Sequence, residues 1–369
     1  MSPIVKRDYR LADGRELIYF DDEDTTLAPD RKPDARILDP RPATAVMRQD
    51  PLTGEWISIA AARQNRVFLP PDDQDPLAPA SENNPSEIPD DYDVAVFENR
   101  SPSFGPDLSA AFDPTELATV GLGRTLPSIG RCEVVSFSPS HEGAFGSITR
   151  SRARTVIEAW ADRTAALSAL PGIQQVFPFE NRGEAIGVTL RHPHGQIYAY
   201  PYVTPRTTRL LESIERFGPD LFERILEFES ASERVVLRGE HWTAFVPFAA
   251  RWPIEVHMLP HRHVADFAET NDEEREELSG LYLRLLRGID ALYDTPTPYI
   301  AAWHQAPVNV GRDTVRLMLQ VTSPRRAENK LKYLAGSEAA MGAWIGDVPP
   351  EKSAALIRDG LDRVEEPEA

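Results

Sequence analysis

Cysteine is almost absent from this chain: Cys132 is the only one in 369 residues. A lone thiol excludes an intramolecular disulfide and fits a reducing compartment. Within Gly130-Arg-Cys-Glu-Val-Val135 it reads as a buried strand residue rather than a reactive group. Basic charge is scarce as well, with 40 Lys and Arg against 58 Asp and Glu, a net −18. That balance repels nucleic acid, and no basic stripe offsets it, which argues against DNA or RNA as a partner. Long apolar runs are missing too. No segment reaches the roughly 18 apolar residues that span a bilayer, and Met1 to Arg10 lacks a signal-peptide pattern. The expectation is a soluble, cytoplasmic protein with no membrane partner.

What is present is ordinary globular material, 41% hydrophobic, in a chain long enough for one large core or two ordinary ones. Asp13-Gly14 between apolar runs predicts a hairpin. Pro70 to Asp91 is crowded with Pro, Asp, Glu and Asn and reads as an extended loop. From Ser147 to Leu170 apolar residues recur at helical spacing, with Trp160 as a core residue, and Pro171-Gly172 ends the run. Further helical patterns cover 207–217, 220–234, 271–293 and 350–364.

The segment richest in chemistry is Arg191-His-Pro-His-Gly-Gln196. Apolar, strand-favouring residues flank it, so a buried strand over 185–200 is expected, with His192, His194 and Gln196 on one face. Pro193 restricts both imidazoles, and Gly195 would let a phosphate approach the backbone. An imidazole can attack phosphorus and split one hard transfer into two easier displacements. His194 is the candidate nucleophile; the bland reading of His-x-His is a pair of hydrogen-bonded core residues.

Other blocks accompany this motif: Asp50-Pro-Leu-Thr-Gly-Glu-Trp56, Arg63-Gln-Asn-Arg66, Val96-Phe-Glu-Asn-Arg100, Phe137-Ser-Pro-Ser-His141, Asn181-Arg-Gly183, Trp303-His-Gln-Ala-Pro307 and Lys332-Tyr-Leu-Ala-Gly-Ser-Glu338. With His-Pro-His-Gly-Gln, and in this order, they resemble the galactose-1-phosphate uridylyltransferase family, a branch of the histidine-triad superfamily. The resemblance covers roughly residues 45 to 345. It implies an α+β fold of two tandem histidine-triad-like halves, 1–204 and 205–369, each an antiparallel sheet faced by helices. A faint internal echo fits this: Pro-Ser-His141 against Pro260-His-Arg-His263, and the catalytic strand against Thr314 to Val321, which has lost its histidines.

The implied reaction is a double displacement. His194 takes the uridylyl group from UDP-glucose, and galactose 1-phosphate then collects it. By position, Gln196 would hold phosphoryl oxygens and Thr189 stands where the family usually has serine. Asn181 and Gly187 match phosphate or nucleotide contacts, Asn99 a uridine-side contact, and Arg63 and Arg66 a basic pair. Lys332, Tyr333, Ala335 and Glu338 match the hexose-binding segment, where Ser337 replaces a usual aromatic. The family also implies a homodimer.

No cofactor is needed for this chemistry, although relatives commonly carry a structural zinc on a Cys-x-x-Cys pair and two histidines. Here His141 and His192 match the histidines, while Asp75 and Ala78 stand at the cysteine positions. Zinc accepts carboxylate oxygen, so His141, His192 and Asp75 could form a three-ligand site completed by water. The alternative is that hydrogen bonds and packing hold the loop after Pro70 against the catalytic strand. A second metal site of some relatives is expected to be absent, since only His304 of it remains. His257, His261 and His263 read as solvated or hydrogen-bonded. Rival functions are a nucleotidyltransferase or phosphorylase using ADP- or GDP-sugars, a histidine-triad hydrolase, and a non-catalytic nucleotide-sugar-binding protein.

Overall fold

The turn expected at Asp13-Gly14 closes a hairpin because Gly14 adopts φ 83°, a backbone conformation that costs glycine little. It joins β1 (Val5–Arg10) to β2 (Glu16–Asp21). The computed structural model describes residues 4–41, 44–61, 70–106 and 121–365, so Arg63 and Arg66 lie outside the described residues. In chain order there follow β3 (Val46–Gln49), β4 (Trp56–Ile59), β5 (Val94–Glu98), β6 (Arg124–Pro127) and β7 (Arg131–Ser136). Helix α1 (Arg150–Ser168) then leads to β8 (Gln175–Arg182) and β9 (His194–Tyr200).

The second half begins with α2 (Pro205–Phe217) and α3 (Leu221–Ser230), followed by β10 (Val235–Arg238), β11 (Trp242–Phe245) and β12 (Ile254–Pro260). It continues through α4 (Asp272–Asp290), β13 (Tyr299–His304), β14 (Met318–Ser323), the short pair β15 (Arg325–Ala327) and β16 (Lys330–Leu331), α5 (Gly336–Met341) and α6 (Pro350–Leu361). Caps fix the long helices. Thr149 accepts from the Arg152 N–H at the start of α1, and Asn271 with Glu274 forms a reciprocal capping box on α4.

Eleven strands form one sheet in the order β1-β2-β5-β7-β9-β8-β13-β14-β12-β11-β10, every pair antiparallel. Leaving out β1, the order reads the same from either side of the β8–β13 seam. The internal echo in the sequence is therefore a structural repeat, and the α+β architecture of two tandem halves holds. Across the repeat, Gln196 opposes Phe179 and Gln320 opposes Ala302. Gln320 thus occupies the place of Gln196, and Met318 begins β14 as His194 begins β9.

On β9 burial alternates: Gly195, Ile197 and Ala199 are buried, while His194, Gln196, Tyr198 and Tyr200 are partly exposed. The buried face packs beneath α1, α4 and α6, in a single core that runs from Val96 and Ile197 through Trp160, Tyr282 and Trp303 to Leu361. Trp160 is 1% exposed and stacks on Phe145, as a core residue should. Cys132 is buried on β7. Among the described residues no helix is long and apolar enough to cross a membrane.

One expectation fails. The catalytic strand starts at His194, not near 185. Gly183 (φ 96°) and Gly187 (φ 82°) flank a short 3-10 turn at Glu184–Ile186, and the chain stays irregular through Pro193, which has no N–H to give a ladder. Consequently His194 and Gln196 share a face, but His192 does not join them.

Candidate active site

Pro193 turns the chain so that two histidines one residue apart meet different surroundings. His192 is 1% exposed. Its Nδ1 lies 2.6 Å from Asp75 Oδ2, and its Nε2 lies 2.6 Å from the Ser138 carbonyl oxygen. Each ring nitrogen thus faces an oxygen at hydrogen-bond distance. The hydroxyls of Ser136 and Tyr92 complete the Nε2 side at 3.0 and 3.2 Å.

Asp75 is the hub of this cluster and is 1% exposed. The same Oδ2 accepts from His141 Nδ1 at 2.8 Å, and Oδ1 accepts from the Leu77 N–H at 2.9 Å. Burial pushes the Asp75 carboxyl up, but the bonds from His192 and His141 outweigh it and hold it at about 2. The loop that carries Asp75 has little regular structure, yet Asn84 Nδ2 donates to the Asp75 carbonyl and Tyr92 donates to that of Leu77. Loop and catalytic strand are thereby tied together.

The three suggested zinc ligands do converge, with donor atoms within 4.8 Å of one another, and they are the one such group among the described residues. They nevertheless do not fit a structural zinc. A histidine ligand needs a ring nitrogen turned to the ion, and both His192 nitrogens are already engaged, one by Asp75 and one by Ser138. Contacts of 2.6 and 2.8 Å from Asp75 to the two rings are hydrogen bonds. Ala78, at the second cysteine position, offers no ligand.

His194 sits at the first residue of β9, partly buried. Its Nδ1 lies 2.7 Å from the main-chain oxygen of His192, an acceptor, so Nδ1 carries the hydrogen and Nε2 the lone pair. Burial lowers its pKa below the ordinary histidine value, against the bond to His192, which raises it. The ring at neutral pH is neutral and nucleophilic at Nε2.

Gly195 is needed for a reason other than the expected one. A Cβ there would stand 2.8 Å from Phe137 Cζ and 3.0 Å from the Phe179 carbonyl oxygen. The missing side chain makes room for packing beneath the sheet, not for a phosphate above it.

His194 opens onto a cavity of about 330 Å³ at the ends of β8 and β9. Asn181 from β8 lines it, as do Val188 and Leu190 on either side of Thr189; Gly187 lies in the exposed turn just before them. Asn99 directly follows β5, two strands from β9, where its N–H donates to the Cys132 carbonyl and its Oδ1 accepts from the Ser101 N–H.

Ala185 and Ile186 face a second, smaller cavity of about 130 Å³, together with Lys332 and Tyr333. The turn at Glu184–Ile186 therefore separates the two spaces. Lys332 is 4% exposed, and its ammonium donates to the Arg251 and Ile345 carbonyls beside Glu338. Tyr333 is exposed, and Ala335 precedes α5.

Five charged residues of the main cavity were given no role in the sequence analysis: Glu142, Glu180, Arg182, Glu184 and Arg191. Burial pushes the Glu180 carboxyl up to about 7, partly offset by the Tyr299 hydroxyl and the Phe145 N–H. A lone carboxylate in the apolar run Val176-Phe-Pro-Phe-Glu180 was the available signal. Of the other histidines, His257 bonds to Glu255, His261 to Thr243 and His304 to Gln320, whereas His263 departs from expectation, its Nε2 being buried with no hydrogen-bond partner. Burial takes the His304 ring down to about 3.

Residues 38–204 match the galactose-1-phosphate uridyl transferase N-terminal domain family, and residues 208–358 match the corresponding C-terminal domain family. A galactose-1-phosphate uridylyltransferase of Streptomyces lividans is 43% identical, with 97% of this chain and 98% of the relative covered. One from Thermotoga maritima is 34% identical over 85% of this chain and 98% of its own. A solved uridylyltransferase structure superposes with a TM-score of 0.77 at 30% identity, covering 87% of this chain and all of that one. The chain belongs to the galactose-1-phosphate uridylyltransferase family.

Proposed function

We propose that this protein exchanges a uridylyl group between UDP-glucose and galactose 1-phosphate, with His194 as the carrier. The reading rests on family membership and on one observation, the 2.7 Å contact between His194 Nδ1 and the His192 carbonyl. That contact dedicates Nε2 to attack. As the bond from Nε2 to the α-phosphorus forms, the bond from that phosphorus to the bridging oxygen breaks, and the oxygen leaves with its electron pair as glucose 1-phosphate. Galactose 1-phosphate then attacks the same phosphorus, the nitrogen–phosphorus bond breaks, and the ring returns to its neutral form.

Gln196 lies two residues on along the same face, where its amide donates to the phosphoryl oxygens. Asn181 contributes from the neighbouring strand. Thr189, Gly187, Asn99, Arg63 and Arg66 contact the nucleotide, while Lys332, Tyr333, Ala335 and Glu338 act on the hexose side. No cofactor takes part; the Asp75 hydrogen bonds hold His192 where relatives use zinc. A cytoplasmic homodimer completes the reading, supported by the single cysteine and by the family resemblance.

The test is intact mass after mixing the enzyme with UDP-glucose alone. The wild type gains one uridylyl group and releases glucose 1-phosphate, and His194→Ala gains none. An adduct on His194→Ala, or wild-type protein that binds UDP-glucose without forming one, overturns the assignment.

A further inference from the structure

An anionic sugar phosphate must enter a protein of net charge −18, so the cavity needs a cation of its own. Two arginines line it among the described residues, and they differ sharply. Arg182 is already engaged: its guanidinium lies 2.5 Å from Asp290 and rests over the Tyr299 ring. Arg191 is 64% exposed and pairs with Glu184 at 3.3 Å, itself 60% exposed on the facing turn. Exposed pairs of this kind are weakly held and easily exchanged.

The base of Arg191 is nonetheless fixed. It directly precedes His192, whose ring is clamped by Asp75 and Ser138, and it lies three residues before His194. A guanidinium presents parallel N–H donors that match two phosphate oxygens at once. A loosely paired arginine on a rigid base, at the wall of the cavity that holds the nucleophile, is built to accept a phosphate.

We infer that Arg191 anchors the phosphate of the hexose 1-phosphate, and that Glu184 holds the guanidinium until that phosphate displaces it. This rests on the uridylyl-transfer reading for the identity of the ligand, but not for the anion contact itself. The phosphate in question is the leaving group of the first half-reaction and the attacking group of the second. Arg191 acts on it by binding, and the α-phosphorus remains with His194 and Gln196.

The test uses the full chain and two readouts. The first is equilibrium titration with galactose 1-phosphate in the absence of nucleotide, which needs no turnover. Arg191→Gln should weaken binding about tenfold, Arg191→Lys by less because it keeps the charge but not the fork, and Glu184→Gln should tighten binding about two- to threefold. The second is steady-state kinetics, in which Arg191→Gln raises KM for galactose 1-phosphate about tenfold and changes kcat about threefold or less.

Unchanged binding in Arg191→Gln overturns the inference, as does a collapse of kcat with KM preserved. So does weaker binding in Glu184→Gln. Because Arg191 is exposed, the variant should keep the wild-type melting temperature, which separates a lost contact from a lost fold. Wild type that forms no uridylyl adduct, yet loses phosphate affinity in Arg191→Gln, sinks the parent reading and leaves the anchor standing.

Discussion

His194 Nδ1 and the main-chain oxygen of His192 lie 2.7 Å apart, so the first histidine's backbone sets the second histidine's tautomer. The side chain of His192 does separate work, binding Asp75 and Ser138. One residue therefore links the nucleophile to the loop that carries Asp75. Asp75 accepts from both His141 and His192 through one oxygen, so the three side chains form one hydrogen-bonded cluster.

The lowered pKa of His194 has a kinetic sign. In the proposed reaction its attacking form is the neutral ring, which persists to pH values below the ordinary histidine midpoint because burial disfavours the charged ring. The rate of uridylylation by UDP-glucose, measured in a single turnover, should have the midpoint of its acid limb below the ordinary histidine value of about 6.5. A rate halved already near pH 7 counts against the neutral, buried ring.

Asp75→Asn keeps the shape but cannot accept from both imidazoles through one oxygen while accepting from Leu77 through the other. The expected cost is about 1–3 kcal/mol of stability at pH 7, with a slower single-turnover rate as His192 loosens. Its folded pKa of about 2 is below the unfolded value of 3.8, so the wild-type contribution is present above pH 3.8 and is lost as pH falls through about 2. Urea midpoints for both proteins at pH 7 and pH 3 check this, since the gap between them should narrow at the lower pH.

Metal removal should be without effect. Protein dialysed against a strong chelator is expected to keep its melting temperature and its yield of uridylyl adduct. Elemental analysis of freshly purified protein should find zinc well below one equivalent; stoichiometric zinc would reject the hydrogen-bonded account.

Gly195→Ala drives a methyl group toward Phe137 Cζ at 2.8 Å and the Phe179 carbonyl oxygen at 3.0 Å. Neither neighbour can yield freely, because Phe137 is 0% exposed and the oxygen belongs to a central strand. Overpacking of this kind costs about 1–3 kcal/mol, and thermal melting should report it. A variant with wild-type stability and a raised KM would instead favour a phosphate contact at Gly195.

Much of this was readable in the sequence. The hairpin at Gly14 and helix α1 followed from turn chemistry and apolar periodicity, and the repeat from the echo of Pro-Ser-His141 in Pro260-His-Arg-His263 together with the family resemblance. The convergence of Asp75, His141 and His192 followed from the resemblance, since no local pattern joins residues so far apart. The strand start was misread because 185–190 is apolar without being paired: the positive-φ glycines at 183 and 187 outweigh propensity. Glu180, Arg182 and Arg191 were invisible as a group, because only the folded ends of β8 and β9 bring them around one cavity. Gly195 was noticed for the wrong reason, since its crowding comes from Phe137, just past the end of β7, the strand paired with β9.

The β8–β13 seam makes the two halves interdependent. Cut between them, a 1–204 fragment would bare the edge of β8, and a 205–369 fragment the edge of β13, each a ready template for unwanted pairing. The apolar interior beneath the sheet would be torn open at the same stroke, for Trp160 and Trp303 come from opposite pieces and touch each other. Each half therefore shields the other, sealing an open sheet edge and closing the interior at once.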